Sequence, residues 1–174
     1  LMTDELFPIV DEQGTVVGKA TRTECHGGTM LLHPVVHLHV TTPDKKHLLL
    51  QLRSASKKIQ PEKWDTAVGG HVDYGETIAV ALLRESSEEL GIDATQARLV
   101  HKYAFQSPVE RELVHVYHLE MPLDTTLQAS PDEVAEVKFW SVTEIGASLG
   151  KGVFTPNFES EFTDIVLPLI INAR

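Results

Sequence analysis

Between Gly70 and Ile92 the chain reads GHVDYGETIAVALLRESSEELGI, and no other stretch constrains the fold as tightly. Glu85, Glu88 and Glu89 stand at i, i+3 and i+4. On an α-helix that spacing brings three carboxylates onto one face. Like charges so placed repel, so a helix does not gather them for its own stability. A hard divalent cation such as Mg²⁺ or Mn²⁺, which takes oxygen ligands, removes the conflict. Asp73 and Glu76 add further acids near Arg84. Gly91 marks the stop, so the expected helix runs from about Glu76 to Leu90, with Ala79, Val80, Leu83 and Leu90 as its buried stripe. A solvated acidic face is the ordinary reading of a charge run. The coincidence of glycine turn, arginine and acids speaks against it here.

These positions resemble the Nudix box, G-x5-E-x7-R-E-U-x-E-E-x-G-U with U a bulky apolar residue. Gly70, Glu76, Arg84, Glu85, Glu88, Glu89, Gly91 and Ile92 match, and Ser86 departs where an apolar residue is expected. The resemblance implies that Glu85, Glu88 and Glu89 bind the metal with help from the Gly70 carbonyl. It also implies that Glu76 and Arg84 brace the loop–helix–loop. Glu89 is read either as a ligand or as the base acting on water. The implied activity is metal-dependent hydrolysis of a diphosphate linkage in a nucleoside-diphosphate-type or other organic diphosphate. Water attacks phosphorus in that reaction, and divalent metals neutralise the phosphoryl oxygens and lower the pKa of bound water.

At 174 residues the chain fits one domain with a sizeable core. The expected organisation is an N-terminal hairpin extension over 1–33, a core over 34–148 and a C-terminal helix over 156–174. Leu6 to Val10, DEQG and TVVGKATR read as a hairpin turning at Gly14. Strands are expected at Val35–Thr42, His47–Arg53, Ala97–Gln106, Leu113–Met121 and Val134–Trp140. Gly69 and Gly70 are expected to break a short extended piece, and a short helix to begin near Val142. Helical spacing recurs over Asn157–Ala173 despite Pro168. Strands, helix, strands, helix predict an α/β fold, a Nudix-type α/β/α sandwich around a central mixed β-sheet. No run approaches a membrane span and no signal peptide is read. A single cysteine, Cys25, excludes an internal disulfide and fits a reducing cytoplasm. A net charge of −10 disfavours general nucleic-acid binding but not a small phosphorylated substrate met by a metal and local cations.

Outside the box, VDEQGTVVGKATRTECH, LLHPVVHLHV and LLLQLRSASKKIQPEKWDTAVGGHVDYGE together resemble isopentenyl-diphosphate isomerases and hydrolase-like relatives, over most of Val10 to Val142. Isomerases of this kind hold a metal with three histidines and two glutamates. The matching positions are His26, His33, His71, Glu110 and Glu112. Ligands of this type suit a second Mn²⁺ or Zn²⁺. Taken singly, each of the five also reads as an ordinary turn or strand residue. The isomerases carry a cysteine two residues before the loop histidine, where this chain has Gly69, and a basic residue where it has Glu85. Glycine moves no proton, so the departures favour hydrolysis over double-bond migration. A non-catalytic ligand-sensing domain is the third reading, disfavoured by the intact glutamates.

The resemblance also puts basic residues near Arg53 and Lys57 on the substrate diphosphate, with Lys58 beside them; the alternative is an ordinary basic loop. Trp64 reads as core and Tyr74 as lining the mouth of the site. His37, His39, His115 and His118 read as structural strand residues, His47 and His101 as surface, and Cys25 as a small buried side chain. The expected partner is a small diphosphate, with a homodimer as a weak prior.

Overall fold

The computed structural model describes residues 4–57 and 60–172. Lys58 and the ends of the expected terminal segments, 1–3 and 173–174, lie outside the described residues. The chain opens with a hairpin, β1 (Leu6–Val10) and β2 (Val16–Thr21). Gly14 turns it at a φ of 91°, a left-handed conformation that suits glycine. A one-turn helix, α1 (Arg22–Cys25), follows, and Thr21 and Glu24 close its N-terminus as a capping box.

The main sheet contains β3 (Leu32–Thr41), β4 (His47–Arg53), β5 (Trp64–Thr66), β6 (Val68–His71), β7 (Arg98–Gln106), β8 (Arg111–Glu120) and β9 (Val134–Ser141). Its order is β5-β4-β3-β8-β7, with β6 added to β3 and β9 to β4. The β3–β8 pair is parallel and the other pairs are antiparallel, which makes the sheet mixed. The helix α2 (Ile78–Leu90) lies between β6 and β7 in the chain. After β9 come α3 (Val142–Ser148), α4 (Pro156–Glu161), a π-helical turn over Phe162–Val166 and α5 (Leu167–Ile171).

Strand periodicity sorts the core into two layers. Val36, Leu38, Val40 and Leu49 pack with Ala81, Leu82 and Leu90 of α2. Leu48 and Leu50 pack on the opposite face with Ile145, Phe154, Phe158 and Phe162. Leu48, Leu49 and Leu50 are all fully buried, because helices cover both faces of β4. Each such leucine contributes about 1.5–3 kcal/mol of burial.

Three expectations need correction. Gly69 and Gly70 do not break an extended piece; they lie within β6, opposite His37 and Val36 of β3. The helix begins at Ile78, capped by Thr77, and buries Ala81, Leu82, Ser86, Glu89 and Leu90. Ala79, Val80 and Leu83 face solvent instead. The helix is rolled so that Glu89 enters the interior, where Gln51 receives it at 2.8 Å. The C-terminal helix is not continuous either. Pro168 offers no N–H and crowds the carbonyl of the preceding turn, and the π-helical turn lies just ahead of it. Among the described residues no helix is long and apolar enough to cross a membrane.

Candidate active site

One cleft of about 630 Å³ receives both groups of residues singled out above. Glu85, Glu88, Glu89 and Gly70 line it, as do His26, His71, Glu110, Glu112, Arg53 and Lys57. The strand β6 joins the groups, since its neighbours Gly70 and His71 belong one to each.

On the α2 side, Arg84 organises the carboxylates. Its Nε and one terminal nitrogen donate to both oxygens of Glu76, at 2.7 and 2.8 Å, a bidentate geometry. The other terminal nitrogen donates to Glu85, and to Glu88 at 3.5 Å. A further hydrogen bond reaches the His71 carbonyl at 3.1 Å, tying the helix to β6. Glu76 also accepts from the Asp73 backbone N–H at 2.8 Å. The hydrogen bond from Arg84 holds Glu76 below the usual carboxylate range, while burial lifts Asp73. Gly70 has a direct steric reason to be glycine. A Cβ there would come within 2.3 Å of the Glu85 carboxyl group. Glu89 is buried, and burial pushes its pKa well above the ordinary value, aided by a hydrogen bond with Glu85. The Glu88 side chain is the open member, 61% exposed. Three oxygen-bearing side chains over an unobstructed glycine suit a hard divalent cation.

The second group converges from four places in the chain. His26 follows α1, His33 sits near the start of β3, His71 ends β6, and Glu110 and Glu112 flank the start of β8. Parallel pairing sets His33 opposite Glu112. The ligand atoms of His26, His33 and His71 lie within 4.8 Å of one another, as do those of His33, Glu110 and Glu112. His26 Nε2 is 3.3 Å from His71 Nε2 and 2.9 Å from Glu110. Such separations match atoms that share one ion at bonds near ~2 Å. His33 donates Nδ1–H to the Leu31 carbonyl at 3.0 Å, which leaves Nε2 with its lone pair toward the cluster. That buried Nε2 has no hydrogen-bond partner. Phe7 of the hairpin walls the group, stacked on His71 with centroids 4.5 Å apart and on His33 at 5.7 Å. Burial lowers the pKa of His33 and, more strongly, of His71, so both stay neutral. The hydrogen bond with His26 lowers Glu110, whereas burial beside Glu110 pushes Glu112 up to about 7. Neutral imidazoles beside two carboxylates form a donor set that fits a divalent cation.

The structure differs from the sequence reading at two positions. Tyr74 is half exposed outside the cleft, beneath the Lys19 ammonium, because its backbone is tied to Leu6 of the hairpin. His37 is not merely structural: it lines the cleft from β3. His39, His115 and His118 do have structural partners, in Glu161, the Val35 and Leu113 carbonyls, and Thr41. Trp64 is core, edge-on to Trp140. Cys25 is fully buried, and burial pushes its thiol up to about 11, far from a nucleophile's range. Gln51, Phe7, Arg22 and Glu161 had no sequence signal. Each reaches the site or its support across long stretches of chain.

The NUDIX domain family model matches residues 31–158. An isopentenyl-diphosphate Delta-isomerase of Citrobacter koseri is 34% identical over 82% of this chain and 80% of its own length. An uncharacterized Nudix hydrolase of Listeria innocua, lin0387, is 35% identical over 73% of this chain and 74% of its own. Among solved structures, DR0079 from Deinococcus radiodurans superposes with a TM-score of 0.74 at 26% identity, covering 90% of this chain and 96% of that one. Proteins of this family use divalent cations, and the donor sets on both sides of the cleft fit them. This chain belongs to the NUDIX domain family.

Proposed function

We propose that the protein hydrolyses a phosphoanhydride bond in a small organic diphosphate, at the α2 side of the cleft. The single observation that carries this reading is the Gly70–Glu85 approach. A backbone stripped of its side chain makes room for one carboxylate of a three-carboxylate helix face. Glu85, Glu88 and Glu89 would hold Mg²⁺ or Mn²⁺, with the Gly70 carbonyl as an added ligand. When bound, the cation supplies charge neutralisation at the phosphoryl oxygens and a lowered pKa for a water. The chain's own residues do the rest. Arg84 and Glu76 fix the helix against β6. Gln51 donates to Glu89 Oε1 and to the Ala67 carbonyl, which orients the buried carboxyl. Glu89, buried and held by Gln51, acts either as one of the ligands or as the base on the attacking water. Arg53 and Lys57 stand at the cleft wall to meet the diphosphate charge. The Shewanella oneidensis NrtR domain, which shares only the fold, was solved with ADP ribose, so a cleft on this scaffold admits a nucleoside diphosphate. The second cluster, His26, His33, His71, Glu110 and Glu112, would hold Mn²⁺ or Zn²⁺ next to it.

A panel of diphosphates incubated with Mg²⁺ or Mn²⁺ tests the reading by monophosphate or phosphate release. Glu88→Gln and Glu89→Gln, made separately, are expected to lower turnover at least about a hundredfold. Near-normal turnover in both would remove α2 from the chemistry.

Isomerisation of isopentenyl diphosphate is the second reading, favoured by the assembled His/Glu cluster and by the isomerase among the relatives. Against it stands Gly69. No useful turnover is expected in heavy water with Mg²⁺ and Mn²⁺, followed by mass analysis. Deuterium-labelled dimethylallyl diphosphate formed at about 1 s⁻¹, the low end for enzymes, would overturn the hydrolase reading. A Cβ at position 69 meets only His37 Cδ2, at 3.7 Å, so Gly69→Cys is sterically tolerable. That variant is expected to raise any trace rate.

A further inference from the structure

We infer that His37 is a substrate-contacting residue of this cleft, its imidazole held by Glu161 so that Nε2 binds a phosphoryl oxygen of the diphosphate. This rests on the hydrolase reading above but uses residues outside both metal-binding groups.

Three observations carry it. First, His37 donates Nδ1–H to Glu161 Oε2 at 2.6 Å, which fixes the ring and leaves Nε2 as its remaining polar atom. Second, His37 lines the cleft and pairs across the sheet with Gly69 of β6. A Cβ at position 69 would meet His37 Cδ2, the ring atom next to Nε2, at 3.7 Å, so the glycine leaves space beside that edge of the ring. Side-chain exposure is 16%. Third, the anchor is built for more than satisfying a carboxylate. Glu161, buried to 1%, also accepts from His39 Nε2 at 2.8 Å and from the Tyr103 hydroxyl. Of its three donors His37 is the one that reaches the cleft.

The electrostatics agree. Burial alone would lower the His37 pKa, but the Glu161 carboxylate outweighs it and pushes it up to about 9. Glu161 is itself drawn below the usual carboxylate range, since the histidines outweigh its burial. The ring is therefore a rigid cation at neutral pH. The cleft is otherwise crowded with Glu85, Glu88, Glu89, Glu110 and Glu112. A diphosphate entering it carries several negative charges and needs fixed donors as well as cations. A two-torsion side chain locked by a buried carboxylate loses little freedom on binding, which favours such a role. A neutral apolar ligand has no use for it.

The test uses methylenediphosphonate, a diphosphate stand-in that cannot be hydrolysed, with Mg²⁺ and the full chain. His37→Asn keeps a side-chain N–H for Glu161 but removes Nε2 and the charge. Its affinity for methylenediphosphonate is expected to fall about tenfold or more, the scale of a charge-assisted hydrogen bond. Glu161→Gln, a positioning change, is expected to weaken binding less. In the unsubstituted protein the His37 ring resonances should move on titration. Unchanged affinity in His37→Asn with stationary ring resonances overturns the inference, and so does failure of the unsubstituted protein to bind the probe. If diphosphates are hydrolysed normally while His37→Asn binds normally, the hydrolase reading survives and only His37 is excluded. If no diphosphate is hydrolysed but His37→Asn still binds less, the reading fails and the contact stands.

Discussion

The two sides of the cleft are built by opposite means. On the α2 side one helix carries all three carboxylates, and a single neighbour, Arg84, links Glu76, Glu85 and Glu88. On the other side five residues arrive from four parts of the chain, with His33 set opposite Glu112 by the parallel pairing of β3 and β8 and His71 brought alongside by β6. The helix side is open at Glu88, whereas the histidine side is closed by Phe7. Local periodicity suffices for the first arrangement. The second needs the hairpin, the sheet and the end of β6 in place together. A site written in one helix tolerates change elsewhere, and a site assembled from several strands does not.

The sharpest way to separate the two sides is Gly70→Ala. The new Cβ would meet the far end of Glu85, a flexible group, so Glu85 moves and the backbone stays. Hydrolytic turnover should fall about a hundredfold. Mn²⁺ binding at the histidine side should persist, and the melting temperature should stay within ~3 °C. Loss of Mn²⁺ from both sides would mean that the cleft behaves as one unit.

A smaller effect is expected from pH, and it distinguishes the ligand chemistries. In the cation-free protein Glu112 carries a proton below about 7, which an incoming cation must displace. His33 and His71 are lowered by burial and stay neutral further down. Mn²⁺ affinity at this side, measured in a Glu85→Gln/Glu88→Gln background, should therefore decline from near pH 7, by about tenfold per unit. The ordinary histidine value near 6.5 is not the turning point. Glu112→Gln should bind more weakly but with a flatter profile between pH 7 and 6. A decline that begins only below 6 in the parent would show that histidine protonation, not Glu112, limits binding.

The smallest effect belongs to α2 itself. Ser86 is fully buried and its hydroxyl has no partner. Ser86→Ala removes an unsatisfied polar atom and should raise the melting temperature by roughly 2–4 °C. Turnover should be unchanged, since the substitution touches the core and not the cleft. A lower melting temperature would mean that the hydroxyl finds a partner in solution.

Much of the architecture was legible from periodicity. The strand His47–Arg53, the hairpin with Gly14 at its turn, and the end of α2 at Gly91 follow from alternation and glycine position. The roll of α2 was not legible. Valine and leucine at positions 80 and 83 suggest a buried stripe, but Gln51 on β4 draws Glu89 inward and leaves those two at the surface. The break in the C-terminal helix needed Pro168 to be weighed against strong helical spacing.

By itself the sequence determined what short-range geometry controls. Residues three and four apart share a helix face, residues two apart share a strand face, and a glycine can end a helix in the left-handed region. The acidic cluster and the α/β order follow from those periods. Only the tertiary structure decided what depends on distant segments. It brought Glu161 of α4 to His37 across 124 residues, stacked Phe7 on His71, and aimed Gln51 at Glu89. The physical reason is that burial, dielectric and hydrogen-bond partners belong to the packed interior, and no window of sequence contains them.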